Sequence, residues 1–267
     1  MLQQSVTLGT LYAVGVGPGA PDLLTLRAVR VLGGVDAVLA AASSLNDHSA
    51  ALDTARPYLR PDAEIVRLDF PMTHRRDILR EAWTHTAGQT LAVLETGRSA
   101  AFLTIGDPLV YSTFGYLLRE IRKNVPNLPV EIVPGITSFQ AAGARAGVVL
   151  CEGRETLRLL SGINDLQNLK NELGFADTAV IMKAYRNMPA IGEALRATGR
   201  DRNCILASRV ERQGERVGRG LPPAGETPPY MSLILSPAPH DSVLTENVPD
   251  RRVDGRARPK KITSTPT

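Results

Sequence analysis

The sequence predicts an α/β protein of two domains, each a sheet flanked by helices. Short apolar runs alternate with amphipathic stretches along most of the 267 residues, which is the pattern of strands and helices in open sheets. Glycine- or proline-bearing turns follow several of those runs. The alternation closes at "VEIVPG" and resumes beyond it, which sets a boundary near Pro134. The expected division is an N-terminal α/β domain over 1–134, a C-terminal α/β domain over 135–239, and a polar, basic, proline-bearing tail over 240–267 that reads as disordered.

The first strand is Leu11 to Val16. A helix starting near Asp22 or Thr25 follows, with Leu24, Val29 and Leu32 on its apolar face and Gly33-Gly34 as its stop. "DAVLAA" reads as a short buried strand, "SSLNDHS" as a loop, and 50–58 as a helix. "AEIVRLDF" is a strand, 75–86 is a helix, and "TLAVLETG" has no clear period. "SAAFLTIGDP" is a buried strand running into a turn at Gly106-Asp107-Pro108, followed by a helix over 112–122 and the strand "VEIVPG". In the second half, Thr137 or Ser138 can cap a small-residue helix. Strands are expected at "TLRLLSG", "DTAVIMKA", "NCILASRV" and "MSLILSP", helices at "INDLQNLKNEL" and "NMPAIGEALRATG", and a hairpin around "ERQGERVGRG".

Composition narrows the function classes. A hydrophobic content of 43% allows a substantial core, while no apolar run approaches the roughly 18 to 20 residues that span a bilayer. The start "MLQQSVTLGT" lacks the basic segment and apolar core of a secretion signal, so the cytoplasm is the expected compartment and no membrane partner is expected. Cys151 and Cys204 stand without C-x-x-C spacing and read as two buried thiols rather than a disulfide or a metal site. His48, His74 and His85 show no ligand or triad spacing. The net charge of +4 is carried partly by the tail, so nucleic acid is not expected, whereas small anions fit.

Gly15, Gly17 and Ala20 satisfy the G-x-G-x-x-G/A spacing of a dinucleotide fold. Pro18 and Pro21 remove amides that a pyrophosphate would need, and Asp36 precedes the second strand instead of ending it.

Four turns after apolar strands, "GVGPGAPDLLTL", "TIGDPLVYSTFGYL", "VPGITSFQAA" and "VIMKAYRN", occur in an order and spacing that resemble the tetrapyrrole methylase family over Leu11 to Pro237. "RLDFPMT", "GDPLVYSTFGYL", "PGITSFQAA" and "ASRVERQGERV" are most similar to its members that methylate C20 of precorrin-2 or cobalt-factor II in cobalamin biosynthesis. "KAYRN" and the basic tail are less usual for the family. The resemblance implies two α/β domains with an intervening cleft, S-adenosylmethionine as methyl donor, a tetrapyrrole substrate and a homodimer. Cofactor contacts are implied at Pro18, Gly106, Asp107, Pro108, Tyr111, Thr137, Ser138, Met182, Ala207 and Met231, and substrate contacts at Arg98, Ser112, Thr113, Lys183 and Arg186. The arginines and the lysine would meet acetate and propionate groups.

The implied chemistry is attack of an electron-rich meso carbon on the sulfonium methyl, which asks the protein chiefly for alignment. Carbonyl dipoles of the Gly106 turn would favour the positive donor. Tyr111 is a candidate proton acceptor by position, with ordered water as the alternative. Each residue has a plainer reading. Gly106-Asp107-Pro108 suits an ordinary β-turn, Thr137 and Ser138 suit helix caps, and Met182 suits a strand core. Tyr111, Phe114 and Tyr116 suit helix packing. The alternatives to a C20 methylase are a sibling acting on another macrocycle carbon and a dinucleotide-binding protein built on the Gly15 turn.

Overall fold

The first sheet is built from Leu11–Gly15 (β1), Ala37–Ala42 (β2), Glu64–Asp69 (β3), Ala100–Thr104 (β4) and Val130–Val133 (β5), all parallel, in the order β3-β2-β4-β1-β5. The computed structural model describes residues 7–42, 49–71, 73, 75–161, 165–223 and 225–238. Strand alternation sends successive side chains to opposite faces. Ala100 and Phe102 pack with Leu11 and Ala13 against Arg76–Leu94 (α3) and Phe114–Asn124 (α4). Ala101 and Leu103 pack with Val14 and Val16 on the other face, against Leu26–Leu32 (α1) and Ala50–Ala55 (α2). The connection leaving β1 runs toward β2, past β4, and the connection leaving β4 runs toward β5, past β1. The turns after β1 and β4 therefore meet at the carboxyl edge, where open parallel sheets receive ligands.

The second sheet contains Leu157–Ser161 (β6), Thr178–Met182 (β7), Ile205–Ser208 (β8), Arg216–Arg219 (β9) and Ser232–Ser236 (β10) in the order β6-β7-β10-β8-β9. Only β6 and β7 are parallel; β10 runs antiparallel to both β7 and β8, and β8 and β9 form the expected hairpin. Leu166–Phe175 (α6) and Met188–Ala197 (α7) cover one face with Leu169, Leu173, Ile191 and Leu195.

Side-chain caps mark the starts of α1, α2 and α6. The hydroxyls of Thr25 and Ser49 accept from the amides of Ala28 and Leu52, and Asp165 accepts from Asn168. The first five residues of "TLAVLETG", through Leu94, are the last part of α3, and the other three form the turn that follows it. Thr86 and Thr90 donate their hydroxyls to the carbonyls of Ala82 and Thr86 inside the helix, at 2.9 and 2.8 Å, which accommodates β-branched residues that blur the helical period.

Packing divides the chain into Met1–Ala141 and Ala142–Thr267, so the division falls within the helix Ser138–Ala146 (α5), a few residues beyond Pro134. The "SSLNDHS" loop up to position 48, His48, His74 and the tail beyond 238 lie outside the described residues. Among the described residues no helix is long and apolar enough to cross a membrane.

Candidate functional site

At the carboxyl edge of the first sheet three glycine backbones touch. A Cβ on Gly15 would lie 2.6 Å from the carbonyl oxygen of Gly106 and 2.6 Å from the nitrogen of Gly135, and one on Gly135 would meet Gly106 more closely still. Gly106 takes φ +75°, a conformation that costs an L side chain strain. Gly17 and Gly106 exchange two backbone hydrogen bonds as an isolated antiparallel bridge, 3.4 and 2.7 Å long. That bridge, with Val16 N–H on Thr104 and Leu23 and Leu24 N–H on Ala20 and Pro21, commits four of the amides around the turn to internal bonds. Pro18, buried in this turn, and Pro21 have no amide to give. The next α-helix starts only at Leu26 and is capped by Thr25. The fingerprint spacing is present, but its phosphate-binding geometry is not.

Asp107 ties this edge: its Oδ1 accepts from Leu109 N–H at 2.8 Å and its Oδ2 from Gly135 N–H at 3.1 Å. Pro108 behind it is buried. Thr137 and Gln140 form a capping box for α5, Gln140 Oε1 accepting from the Thr137 amide and hydroxyl at 3.0 and 2.8 Å. Ser138 opens that helix, half-buried. Ser112 accepts from Phe114 N–H at 3.1 Å and pairs with the Thr104 hydroxyl at 3.1 Å, and Thr113 precedes α4 without a side-chain cap bond. Tyr111 is held at φ +50°, and burial pushes its phenol above the ordinary value. At neutral pH it carries its proton, which suits a hydrogen-bond donor rather than a base.

In the second unit, register aligns Met182, Leu233 and Ala207 in one row across β7, β10 and β8. Lys183, Arg209 and Met231 directly outside these strands all have left-handed backbones, at φ +58°, +49° and +68°. Arg209 N–H donates to the Met231 carbonyl at 3.0 Å, and the buried hydroxyls of Ser208 and Ser232 pair at 2.7 Å. After Lys183, Arg186 donates to the Tyr185 hydroxyl at 3.0 Å, and Tyr185 meets Tyr230 edge-on with centroids 5.3 Å apart. Partial desolvation, and then the charge of Arg186, hold the Lys183 ammonium below its ordinary value. Burial first, and Tyr185 second, push the Tyr230 phenol up.

Pro18, Gly106, Asp107, Pro108, Thr137 and Ser138 thus share the edge of the first sheet, and Met182, Ala207 and Met231 share an edge of the second. Arg98 does not belong with them. It precedes β4, at the amino end of the sheet, where it donates to Glu64 at 2.7 Å and to the Asp36 carbonyl at 3.2 Å. The whole of β4, about 16 Å of strand at ~3.3 Å per residue, lies between it and Gly106. Its expected substrate role is corrected to an ion pair that closes the strand starts. Sequence reasoning overlooked Gly135 and Gln140, although the "PG" after a strand and the T-x-x-Q spacing signal both.

For the cofactor implied by resemblance the donor set fits. The turn over 106–113 carries one carboxylate and no basic side chain, so it suits a cationic, phosphate-free ligand and repels a phosphate.

Two α/β sheets, the first carrying a glycine turn that spends the Val16 and Gly17 amides on internal bonds, set the class of the protein. The chain belongs to the tetrapyrrole methylases: residues 10–222 match the family described as Tetrapyrrole (Corrin/Porphyrin) Methylases. It is 35% identical over 229 residues to the cobalt-precorrin-2 C(20)-methyltransferase of Salmonella typhimurium, covering 85% of this chain and 95% of that protein. It is 32% identical over 240 residues to the precorrin-2 C(20)-methyltransferase of Sinorhizobium sp, covering 87% and 96%. The crystal structure of uroporphyrin-III-C-methyltransferase from Thermus thermophilus matches with a TM-score of 0.60 at 28% identity, over 86% of this chain and 94% of that one.

Proposed function

We propose that the chain transfers a methyl group from S-adenosylmethionine to C20 of precorrin-2 or its cobalt-bearing counterpart, in cobalamin biosynthesis. The observation that carries this reading is similarity along nearly the whole length of two relatives that are both named for that carbon. The cofactor supplies an electrophilic methyl on sulfur. In the transfer the C20–CH3 bond forms, the S–CH3 bond breaks to leave a neutral thioether, and the proton on C20 departs. No protein nucleophile is required, so alignment by the chain's own residues is the main catalytic contribution.

Cofactor contacts are assigned to the glycine edge, at Pro18, Gly106, Asp107, Pro108, Tyr111, Thr137 and Ser138, and to the strand ends at Met182, Ala207 and Met231. The Asp107 carboxylate places negative charge beside the Gly106 turn, which favours a positive donor. Thr137 contributes through the start of α5 more than through a free hydroxyl, because its hydroxyl already serves Gln140. Water is the assigned proton acceptor, since a phenol such as that of Tyr111 keeps its proton at neutral pH. Lys183 and Arg186, beside the Tyr185 and Tyr230 rings, are assigned to the carboxylate arms of the substrate. Ser112 and Thr113 are assigned to the same substrate as polar contacts. A homodimer working in the cytoplasm completes the proposal, and sedimentation measures the first of these.

The test is an anaerobic incubation with S-adenosylmethionine, offering metal-free precorrin-2 and its cobalt-bearing form in parallel, with the new methyl located by NMR. Methylation of C20 in either substrate is expected. A methyl on another carbon, or none in a folded protein that binds S-adenosylhomocysteine, overturns the reading.

A further inference from the structure

The hairpin loop between β8 and β9 is costly as built. Two of its non-glycine residues, Arg209 and Glu211, have left-handed backbones at φ +49° and +61°, with Gly214 at +78°. Such residues persist only where their surroundings over-determine them. Here the surroundings include a side chain from α5. Arg145 Nη2 donates to Glu211 Oε2 at 2.9 Å, and Arg145 Nε lies 2.8 Å from Glu211 Oε1. The same Nε is 3.2 Å from Oε1 of Glu215, a residue only 2% exposed. The other oxygen of Glu215 accepts the Glu211 amide at 2.6 Å, and the turn is closed by Arg212 N–H on Arg209 and Glu215 N–H on Arg212. A buried carboxylate is retained at a cost unless it is paired and hydrogen-bonded, and this one accepts a strained backbone amide with one oxygen and faces the guanidinium with the other by charge alone, without a hydrogen bond.

What the loop fixes lies at its root. Arg209 N–H holds the carbonyl of Met231, itself left-handed, and Ser208 in β8 is locked to Ser232 in β10. We propose that Arg145, Glu211 and Glu215 form a positioning clasp. It holds the 209–215 loop in its left-handed path, and through the Arg209–Met231 bond it sets Ala207 and Met231 for the methyl donor. This rests on the cofactor reading above. The three residues act through the loop and touch no reacting atom.

The test compares wild type with Arg145→Lys and Glu215→Gln. Lysine keeps the charge but loses the Nη2 hydrogen bond to Glu211 and the reach of the guanidinium to both carboxylates. Glutamine keeps an acceptor for the Glu211 amide and leaves one carboxylate for the guanidinium, so it remains folded if the lysine variant does not. Three readouts are taken: melting temperature, the rate of tryptic cleavage after Arg209 and Arg212 by mass spectrometry, and the Kd of S-adenosylhomocysteine by calorimetry. The clasp predicts melting close to wild type, faster cleavage in the loop, and a Kd raised about tenfold. It also predicts a raised KM for S-adenosylmethionine, with kcat at saturation within about twofold of wild type. Unchanged affinity and KM in both variants overturn the clasp while leaving the cofactor reading intact. A wild type that fails to bind S-adenosylhomocysteine overturns the cofactor reading and the clasp's role with it.

Discussion

The two sheets close their amino edges alike and shape their carboxyl edges by different means. In the first unit Asp36, just before β2, accepts from the amide and hydroxyl of Ser99, just before β4, at 2.9 and 2.8 Å. In the second, Asp177 before β7 does the same with Thr156 before β6, at 2.7 and 2.8 Å. At the other end the first unit removes side chains: Gly15, Gly106 and Gly135 let three backbones meet where any Cβ would collide. The second keeps its side chains in the left-handed region, at Lys183, Arg209, Glu211 and Met231, and holds the loop and its root with the Arg145 clasp and the Ser208–Ser232 pair. Tyr111 is the first unit's single non-glycine residue of that kind among the described residues. A tight edge can thus be made either by omitting atoms or by adding interactions that offset the strain, and the two respond to substitution in opposite directions.

The largest expected effect lies at the glycines. Gly135→Ala puts a methyl against the Gly106 carbonyl and the Gly15 backbone, neither of which can rotate away. It is expected to cost about 3 kcal/mol or more, at the upper end of overpacking, read as lost soluble protein or a depressed urea midpoint. A near-neutral variant would show that the contact relaxes cheaply and break the comparison.

The reverse substitution is expected to be mild in the second unit. Arg209→Gly relieves a left-handed backbone costing about 1–2 kcal/mol, and glycine returns roughly 0.5–1 kcal/mol of that through chain entropy. The urea midpoint should stay unchanged or rise slightly. A loss as large as that of Gly135→Ala would mean that the Arg209 side chain, rather than its surroundings, holds the loop.

The smallest effect tests the shared amino edges. Hydrogen bonds from the backbone and then the side chain of Ser99, with Arg60 and Arg98 nearby, hold the Asp36 carboxyl below its ordinary value. The backbone and then the side chain of Thr156 do the same for Asp177. A carboxylate depressed in the folded state contributes stability that is in place above its unfolded value, near pH 4, and lost as pH falls through the lower folded value. Asp36→Asn and Asp177→Asn should each flatten the acid limb of a stability profile below about pH 4 while changing its slope little near neutrality. An unchanged acid limb in both variants would remove these carboxylates from the account.

Much of this contrast is written locally in the chain. The strands, the Gly106-Asp107-Pro108 turn and the Thr137 cap follow from apolar runs and turn residues over a few positions, and the order of the four turns identifies the family. The end of α3 was harder to read because threonines and Gly88 weaken the helical period, and only hydroxyl bonds back to the carbonyls and packing of Leu91 and Leu94 settle it. Arg98 misled because a charge four residues ahead of a strand's middle sits at the opposite end of the sheet from one just after it. The clasp has no local signature. Glu211 and Glu215 lie in a polar hairpin, and their partner Arg145 is 66 residues from Glu211, so tertiary contact alone brings them together.

The most direct measurement is hydrogen exchange followed by mass spectrometry, with and without S-adenosylhomocysteine. The account predicts slowed exchange in segments covering 104–111 and 135–141 of the first unit and 182–186 and 207–233 of the second, with the amino-edge segments around 36 and 177 unchanged. Binding that protects neither carboxyl edge, or that protects the amino edges instead, would contradict it.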